Sequence, residues 1–229
     1  GFKTGGRIAS LSVEEGGRVA KGDLIATLDN RELKALVEQN RASVAIAEAE
    51  ELKASKDFER FESLRREDAV SGQQMDAALR ARDAARSQVR LARAALGASE
   101  QRLDDTELRA PISGVVLGKN SEVGEMTAAG AVVCTIGDIE HPWIKVYVKE
   151  DRLGLVKLGQ KAEIRTDSYP KKAYEGTVTY ISSEAEFTPK TVQTTEERVK
   201  LVFGVKVSVK NEHEELKPGM PADVMILMR

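Results

Sequence analysis

Arg65-Arg66-Glu67-Asp68-Ala69-Val70-Ser71-Gly72-Gln73-Gln74-Met75 interrupts two long arms of helix-forming sequence that together occupy residues 30–109 without a proline. The break at Val70-Ser71-Gly72 divides what would otherwise be one very long helix into two of similar length. Everything flanking the arms reads as strand and turn. The expected architecture is an antiparallel helical hairpin reaching out from a β-rich base.

Working outward, the first arm begins after Asp29, whose side chain is expected to cap the helix while Glu32 completes a capping box. Apolar or small residues then recur at steps of four and three: Leu33, Val37, Val44, Ala47, Ala54, Phe58 and Phe61, with Asn40 and Glu51 interrupting the stripe. A helix from 32 to 67 runs about 54 Å. The return arm, roughly 73–107, carries the matching stripe Met75, Ala78, Ala85, Val89, Ala92, Leu96 and Leu103. Its alanines favour helix and let two axes approach closely. Pro111 disfavours helix at Ala110 and is expected to end the arm. The remaining faces carry charges of both signs and read as solvated surface.

On either side of the hairpin lies one β pattern, written twice. Residues 7–28 alternate apolar and polar in short bursts broken by Gly16-Gly17 and Lys21-Gly22-Asp23. Residues 114–136 repeat that layout at a constant offset of 108: Gly6 matches Gly114, Glu14 Glu122, Gly16 Gly124, Ala20 Ala128, Gly22 Gly130 and Thr27 Thr135. Matching glycines imply that the same turn, with positive φ, is needed twice. Chance coincidence of turn glycines is the competing reading. Six identities at one unbroken offset, with Ile8/Val116 and Leu28/Ile136 in step, outweigh it.

From 139 onward the pattern changes to strand-like 143–148, a short helix-like 150–158 closed by Gly159, and strands at 162–166, 174–181, 199–209 and 222–228. Val205, Val207 and Val209 alternate with Lys206, Ser208 and Lys210, the period of a strand with one wet face. Pro218-Gly219 has the order of a type II turn. Several short strands with one small helix predict a compact β-barrel. The polar stretch 182–198 reads as a long loop or extended hairpin.

Composition narrows the function classes. With 35 basic and 37 acidic residues the net charge is −2, which offers no excess of cations for a nucleic-acid surface. The longest apolar runs, 131–136 and 224–228, fall far short of the roughly 18–20 residues that span a bilayer. The chain opens in strand-like residues 1–7, and the expectation is that a targeting or anchoring segment has been removed. A single cysteine, Cys134, cannot form an intramolecular disulfide. Aromatics make up 4% of the chain, so packing must rest on Val, Ile, Leu and Ala.

Three stretches together resemble the membrane fusion proteins, the hemolysin-D-like periplasmic adaptor subunits of Gram-negative efflux and secretion pumps. They are Gly16-Gly17-Arg18-Val19-Ala20-Lys21-Gly22-Asp23-Leu24-Ile25-Ala26-Thr27-Leu28-Asp29, Leu108-Arg109-Ala110-Pro111-Ile112-Ser113-Gly114-Val115-Val116 and Leu216-Lys217-Pro218-Gly219-Met220-Pro221-Ala222-Asp223-Val224. The middle stretch is the most specific, because it stands where the family's hairpin rejoins its lipoyl domain. The resemblance implies an α+β multi-module fold: a split lipoyl-like β-domain (1–29 plus 112–138), an inserted antiparallel α-helical coiled-coil hairpin (30–111, tip near 64–73), and a small β-barrel domain (139–229). It further implies a hexameric funnel joining an inner-membrane transporter to a TolC-type outer-membrane channel for efflux or secretion. The location implied is the periplasm, with the full-length protein anchored to the inner membrane. The family's membrane-proximal domain and N-terminal anchor have no clear counterpart here, so membrane contact is expected only through a segment preceding Gly1.

In that family the hairpin tip carries an Arg, a Leu four residues later and a Ser seven after that, which dock on the channel. Arg60, Leu64 and Ser71 stand at that spacing. The plainer reading makes Ser71 with Gln74 a capping box for the return helix, Leu64 part of the arm's core and Arg60 merely solvated. Val192-Gln193-Thr194-Thr195-Glu196-Glu197-Arg198-Val199-Lys200-Leu201-Val202-Phe203 resembles adaptors of ABC-type exporters more than those of proton-driven, RND-type pumps. The alternatives are an RND-type adaptor and a coiled-coil scaffold outside any transport conduit.

No enzymatic activity, cofactor or metal is expected. A lipoyl-like fold invites covalent carriage of lipoate or biotin, but the helical insertion occupies the place of the carrier lysine, and neither Met-Lys-Met nor Asp-Lys-Ala occurs. Gly17 and Gly22 have the spacing that opens a phosphate loop, yet Asp23 stands where lysine is required. His141 and His213 lie far apart in sequence without a Cys or His partner at ligand spacing. Cys134, Asp138 and His141 resemble a nucleophilic set only in residue type, and Cys134 aligns with Ala26 of the repeat as a small core residue.

Overall fold

The computed structural model describes residues 1–187 and 201–227. The readings of 188–200 as loop or strand, and most of the 192–203 resemblance, lie outside the described residues, as does Met228. Contacts divide the chain into two units: Gly1–Pro111 with Val116–Thr135, and Ile112–Val115 with Ile136–Arg229.

The first unit begins with β1 (Gly6–Leu11), β2 (Arg18–Val19) and β3 (Leu24–Leu28). After the helices α1 (Arg31–Arg66) and α2 (Gly72–Asp104), the chain returns as β4 (Glu107–Arg109), β5 (Gly114–Lys119), β6 (Met126–Thr127) and β7 (Cys134–Gly137). One sheet runs β4-β3-β1-β6, another β2-β5-β7. The 108-residue repeat is visible bond by bond. The Gly16 amide donates to the Val116 carbonyl, and the Gly124 amide to the Ile8 carbonyl, both at 2.8 Å. Val116 N donates to Gly17 O and Ile8 N to Glu125 O, both at 2.9 Å. Gly22 N reaches Ala110 O, while Gly130 N reaches Phe2 O, again both at 2.8 Å.

Each half therefore closes the strands of the other. The turn glycines have positive φ in matched pairs: Gly16 at 80° with Gly124 at 93°, and Gly22 at 94° with Gly130 at 78°. The core is matched as well. Ile8 and Val116 are each 1% exposed, Ile25 1% and Val133 0%. Phe2 and Ala110, a pair in step that carries no glycine marker, are buried alongside them.

α1 has 36 residues and α2 33, so α1 spans about 54 Å. The pair buries Val37, Val44 and Ala47 on α1 and Ala78, Val89, Ala92 and Ser99 on α2. Small side chains at Ala47 and Ala92 sit in one cluster with Val44 and Val89, against the half-buried Leu96. Ion pairs stitch the edges: Arg93 to Glu48 at 2.6 Å and Arg86 to Glu51 at 3.3 Å. Ser99, absent from the expected stripe, is buried because its hydroxyl donates to the Leu96 carbonyl at 2.7 Å.

Two sequence expectations for the helix ends are corrected. The N-cap of α1 is Asn30, which has no capping hydrogen bond from its side chain, and Asp29, one residue earlier, accepts only the first helical amide, Arg31 N, at 3.4 Å. The Asp29 carboxylate is held mainly by the Arg31 guanidinium, at 2.9 Å from Nε and 2.6 Å from Nη2. Likewise α2 stops at Asp104, ahead of Pro111. Thr106 donates its hydroxyl to Leu103 O at 2.6 Å and accepts the Leu28 amide at 2.9 Å on its carbonyl. Residues 107–109 then pair with β3, so sheet formation ends the helix before the proline is reached.

The second unit contains β8 (Trp143–Lys149), α3 (Glu150–Leu153), β9 (Lys161–Arg165), β10 (Tyr174–Phe187), β11 (Leu201–Val209) and β12 (Asp223–Ile226). They form a five-stranded antiparallel sheet in the order β12-β9-β10-β11-β8. Its core holds Ile164, Val178, Val205, Val207, Val209 and Leu216. β10 is longer than expected because, beyond a register shift between Ile181 and Ala185, residues 185–187 pair again with β11, ending at Phe187 opposite Leu201. α3 is shorter than the expected 150–158, a single turn followed by bends up to Gly159, whose φ is 81°.

Candidate functional site: the hairpin tip

The end of α1 is closed by main-chain bonds. The Asp68 amide donates to Arg65 O at 3.1 Å and the Ala69 amide to Leu64 O at 2.9 Å. Asp68 itself has φ 57°. This is the bonding of a Schellman motif, with an aspartate where glycine is usual. Arg65 braces the turn from outside, its guanidinium donating to Val70 O at 3.1 Å. The start of α2 is closed by side chains: Ser71 Oγ accepts from Gln74 N at 3.3 Å, and Ser71 N donates to Gln74 Oε1 at 2.9 Å. Both free helix ends are thus satisfied by local groups.

Arg60, Leu64 and Ser71 occupy defined places on this tip. Arg60 and Leu64 stand one turn apart on the same face of α1. The Arg60 guanidinium is exposed and pairs with Asp57 at 2.8 Å. Leu64 is half-buried, and Ser71 is exposed at the N-cap of α2. Sequence reasoning found the Ser71 capping box but missed Arg65 and Asp68, which shape the turn. The signal for Arg65 is its separation of five residues from Val70, legible only once the turn is known. Below the tip, Arg82 lies 4.1 Å from the centre of the Phe58 ring and covers an aromatic that two helices alone leave half-buried.

The other sequence candidates fall into place separately. Asp138 Oδ1 accepts the amides of Glu140 and His141 at 3.0 and 3.1 Å, and its other oxygen lies 3.2 Å from His141 Nδ1. These contacts hold a loop. Cys134 is half-buried, and burial pushes its thiol above the ordinary range, away from nucleophilic character. His141 and His213, distant in sequence, line one cavity of about 650 Å³ together with Tyr174 and Glu215. There the Tyr174 hydroxyl donates to Glu215 at 2.8 Å, and burial together with that bond pushes the phenol up to about 12. Among the described residues no group of three His, Cys, Asp or Glu side chains is placed to hold a metal. No helix among them is long and apolar enough to cross a membrane.

A hairpin inserted into a split β-module and followed by an antiparallel β-domain defines a class of protein. The family model for the RND membrane fusion protein barrel-sandwich hybrid domain matches residues 2–136. That for the CusB-like beta-barrel domain matches 142–228. The chain belongs to the membrane fusion proteins. A UPF0194 membrane protein of Acidithiobacillus ferridurans is 33% identical, the match covering 98% of this chain and 82% of that protein. Among solved structures, the membrane fusion protein Spr0693 of Streptococcus pneumoniae R6 superposes with a TM-score of 0.74 at 20% identity, over 98% of this chain and 90% of that one. MacA of Actinobacillus actinomycetemcomitans gives 0.75 at 20% identity, over 99% and 73%. The split lipoyl-like module, helical hairpin and β-barrel expected from the sequence are the fold observed, and the role of the family is that of a periplasmic adaptor.

Proposed function

We propose that this chain is a non-enzymatic adaptor that links an inner-membrane transporter to an outer-membrane channel in the periplasm. The observation that carries the reading is a 36-residue helix folded back on a 33-residue one and closed at its free end by a backbone cap and a capping box. Such a tip presents side chains from a fixed backbone and loses little entropy on docking. Arg60, Leu64 and Ser71 are assigned as the docking residues: a cation and an apolar group on one helical face, with a hydroxyl at the start of the next helix. The β-domains form the base of a homo-oligomeric ring, hexameric in the working assembly, and the energy for transport comes from the partner. The N-terminal anchor to the inner membrane belongs to the same proposal.

An RND-type transporter is the favoured partner, because both matching family models carry RND or CusB-like descriptions and together span 2–136 and 142–228. The ABC-type reading rests on 192–203, of which only Leu201, Val202 and Phe203 are described. Crosslinking of the full-length protein in its native envelope, with partners identified by mass spectrometry, separates the two. Recovery of neither a transporter nor a channel would favour a scaffold instead.

The docking trio is tested by export in cells carrying Leu64→Asp, Arg60→Asp or Ser71→Asp. Aspartate at 71 retains a capping acceptor, so that change alters the surface without removing the cap. A buried aspartate at 64 costs a docked interface about 2 kcal/mol or more. Full export by all three folded variants would exclude docking through this trio.

A further inference from the structure

Aromatic side chains are scarce, at 4% of the chain, yet three of them stand in the open. Trp143 is 56% exposed, Tyr180 49% and Tyr147 42%, and no other aromatic among the described residues is so exposed. Strand register puts all three on one face of the second unit's sheet. Trp143, Lys145, Tyr147 and Lys149 alternate outward along β8, opposite Ser208, Lys206, Gly204 and Val202 of β11. Tyr180 of β10 stands opposite Lys206 from the other side. Val205 and Val207, between these positions, point the other way into the core and are 0% exposed.

Lysines are interleaved with the rings. Lys206 Nζ lies 4.3 Å from the centre of the Trp143 ring and 5.5 Å from that of Tyr180, and Lys145 Nζ lies 5.1 Å from that of Tyr147. Lys145 and Lys206 are also direct cross-strand partners, a like-charged pair that disfavours the sheet. Every charged side chain on β8 and β11 is a lysine: Lys145, Lys149 and Lys206. β10 contributes carboxylates at Glu175, Glu184 and Glu186. Glu186 pairs with Lys145 at 2.8 Å and Glu175 with Lys161 of β9 at 4.0 Å. Among the described residues, Lys206 has two rings for partners and no ion pair.

Exposed apolar rings and a like-charged cross-strand pair each cost the isolated sheet stability, and a single environment relieves both. We propose that this face rests on the headgroup layer of an anionic phospholipid bilayer. Trp and Tyr rings have an apolar body and a polar tip, which suits them to the boundary between headgroups and acyl chains. Lysine stems lie along apolar surface while their ammonium groups meet lipid phosphate. Composition decides against a protein partner: protein interfaces join arginine to their aromatics and are depleted in lysine, whereas β8, β10 and β11 contain no arginine. The inference goes beyond the adaptor role and the N-terminal anchor, and rests on neither.

Trp143 is the chain's single tryptophan, so its emission reports on the face directly. The full chain is mixed with vesicles of phosphatidylcholine alone and with vesicles containing about one-third phosphatidylglycerol, and binding is read by co-sedimentation. A second set carries lipids brominated at the headgroup end of the acyl chains, which quench a tryptophan that enters the interface. Binding to the anionic vesicles is expected to be at least about tenfold tighter than to the neutral ones, to weaken as salt is added, and to quench Trp143. Lys206→Gln is expected to weaken it about fivefold and Trp143→Ala about tenfold, whereas Lys34→Gln on α1 leaves it unchanged. Circular dichroism checks that each variant is folded, and quenching in the wild type tests the face without any variant. The proposal is overturned if the anionic vesicles are not bound, which would leave the rings to a partner other than lipid. Equal binding to both lipid compositions, binding without quenching of Trp143, or equal weakening by Lys34→Gln and Lys206→Gln overturns it as well.

Discussion

The hairpin and the β-module that carries it are built from similar aliphatic residues, yet they bury them differently. In the module, Ile8, Ile25, Val116 and Val133 are 0–1% exposed; in the hairpin, the cluster of Val44, Ala47, Val89 and Ala92 stays at 6–9%, and Val37 reaches 4%. Two helices share a single interface and enclose an aliphatic side chain less completely than two interlocked sheets do. The module thus concentrates its stability in a few residues. The hairpin spreads its own over a long seam, assisted by ion pairs, by caps and by Arg82 covering Phe58.

The comparison is sharpest where cavities are made. Ile25→Ala is expected to cost about 4 kcal/mol, and Val44→Ala only about 1–2 kcal/mol, because the hairpin site can close around the loss. Urea unfolding of both variants checks this, and equal costs would break the comparison. Next come the paired turns. Alanine at Gly16 or Gly124 meets no atom within 4 Å but must adopt φ of 80° or 93°. Each is expected to cost about 1–2 kcal/mol, and the two costs should agree. A large inequality would show that the repeat in geometry is not one in energy.

Ser71→Ala removes the capping box and is expected to cost the hairpin about 1 kcal/mol, read as faster amide exchange in the first turn of α2. Loss throughout the β-module instead would mean that hairpin and module unfold as one. The smallest effect is electrostatic. Hydrogen bonding from the Arg31 side chain holds the exposed Asp29 carboxyl down at about 2, from an ordinary value of 3.8. Because the folded value is the lower one, this contribution is complete above about pH 4 and disappears as pH falls through about 2. The difference in melting temperature between wild type and Asp29→Asn should be small at pH 5, smaller at pH 2 and absent only below that.

Much of this architecture is legible in the order of the amino acids. Period-four and period-three stripes announce two helices, and positive φ at Gly16, Gly22, Gly124 and Gly130 is what the repeated glycines demand. The departures share one cause, a competing partner that local pattern does not reveal. Asp29 has the chemistry of a cap, but Arg31, two residues on, competes for its carboxylate. Helix propensity alone carries α2 to Glu107, whereas β3 claims residues 107–109. At the tip the spacing of Arg60, Leu64 and Ser71 is visible in the chain, but the Schellman turn on Asp68 is not, because aspartate rarely substitutes for glycine there.

The elements, their order and the twofold writing of the β-module are legible in the chain, since periodicity and turn glycines are local properties of it. What meets across long stretches of chain came from the folded structure: that Gly16 bonds Val116 while Gly124 bonds Ile8, that Phe2 and Ala110 are both buried, and that His141 and His213 share a cavity. It also decided that the buried Asn211 side chain finds hydrogen-bond partners and the buried Thr166 hydroxyl does not. Whether a buried polar atom finds a partner depends on which strands meet, and no local pattern encodes that.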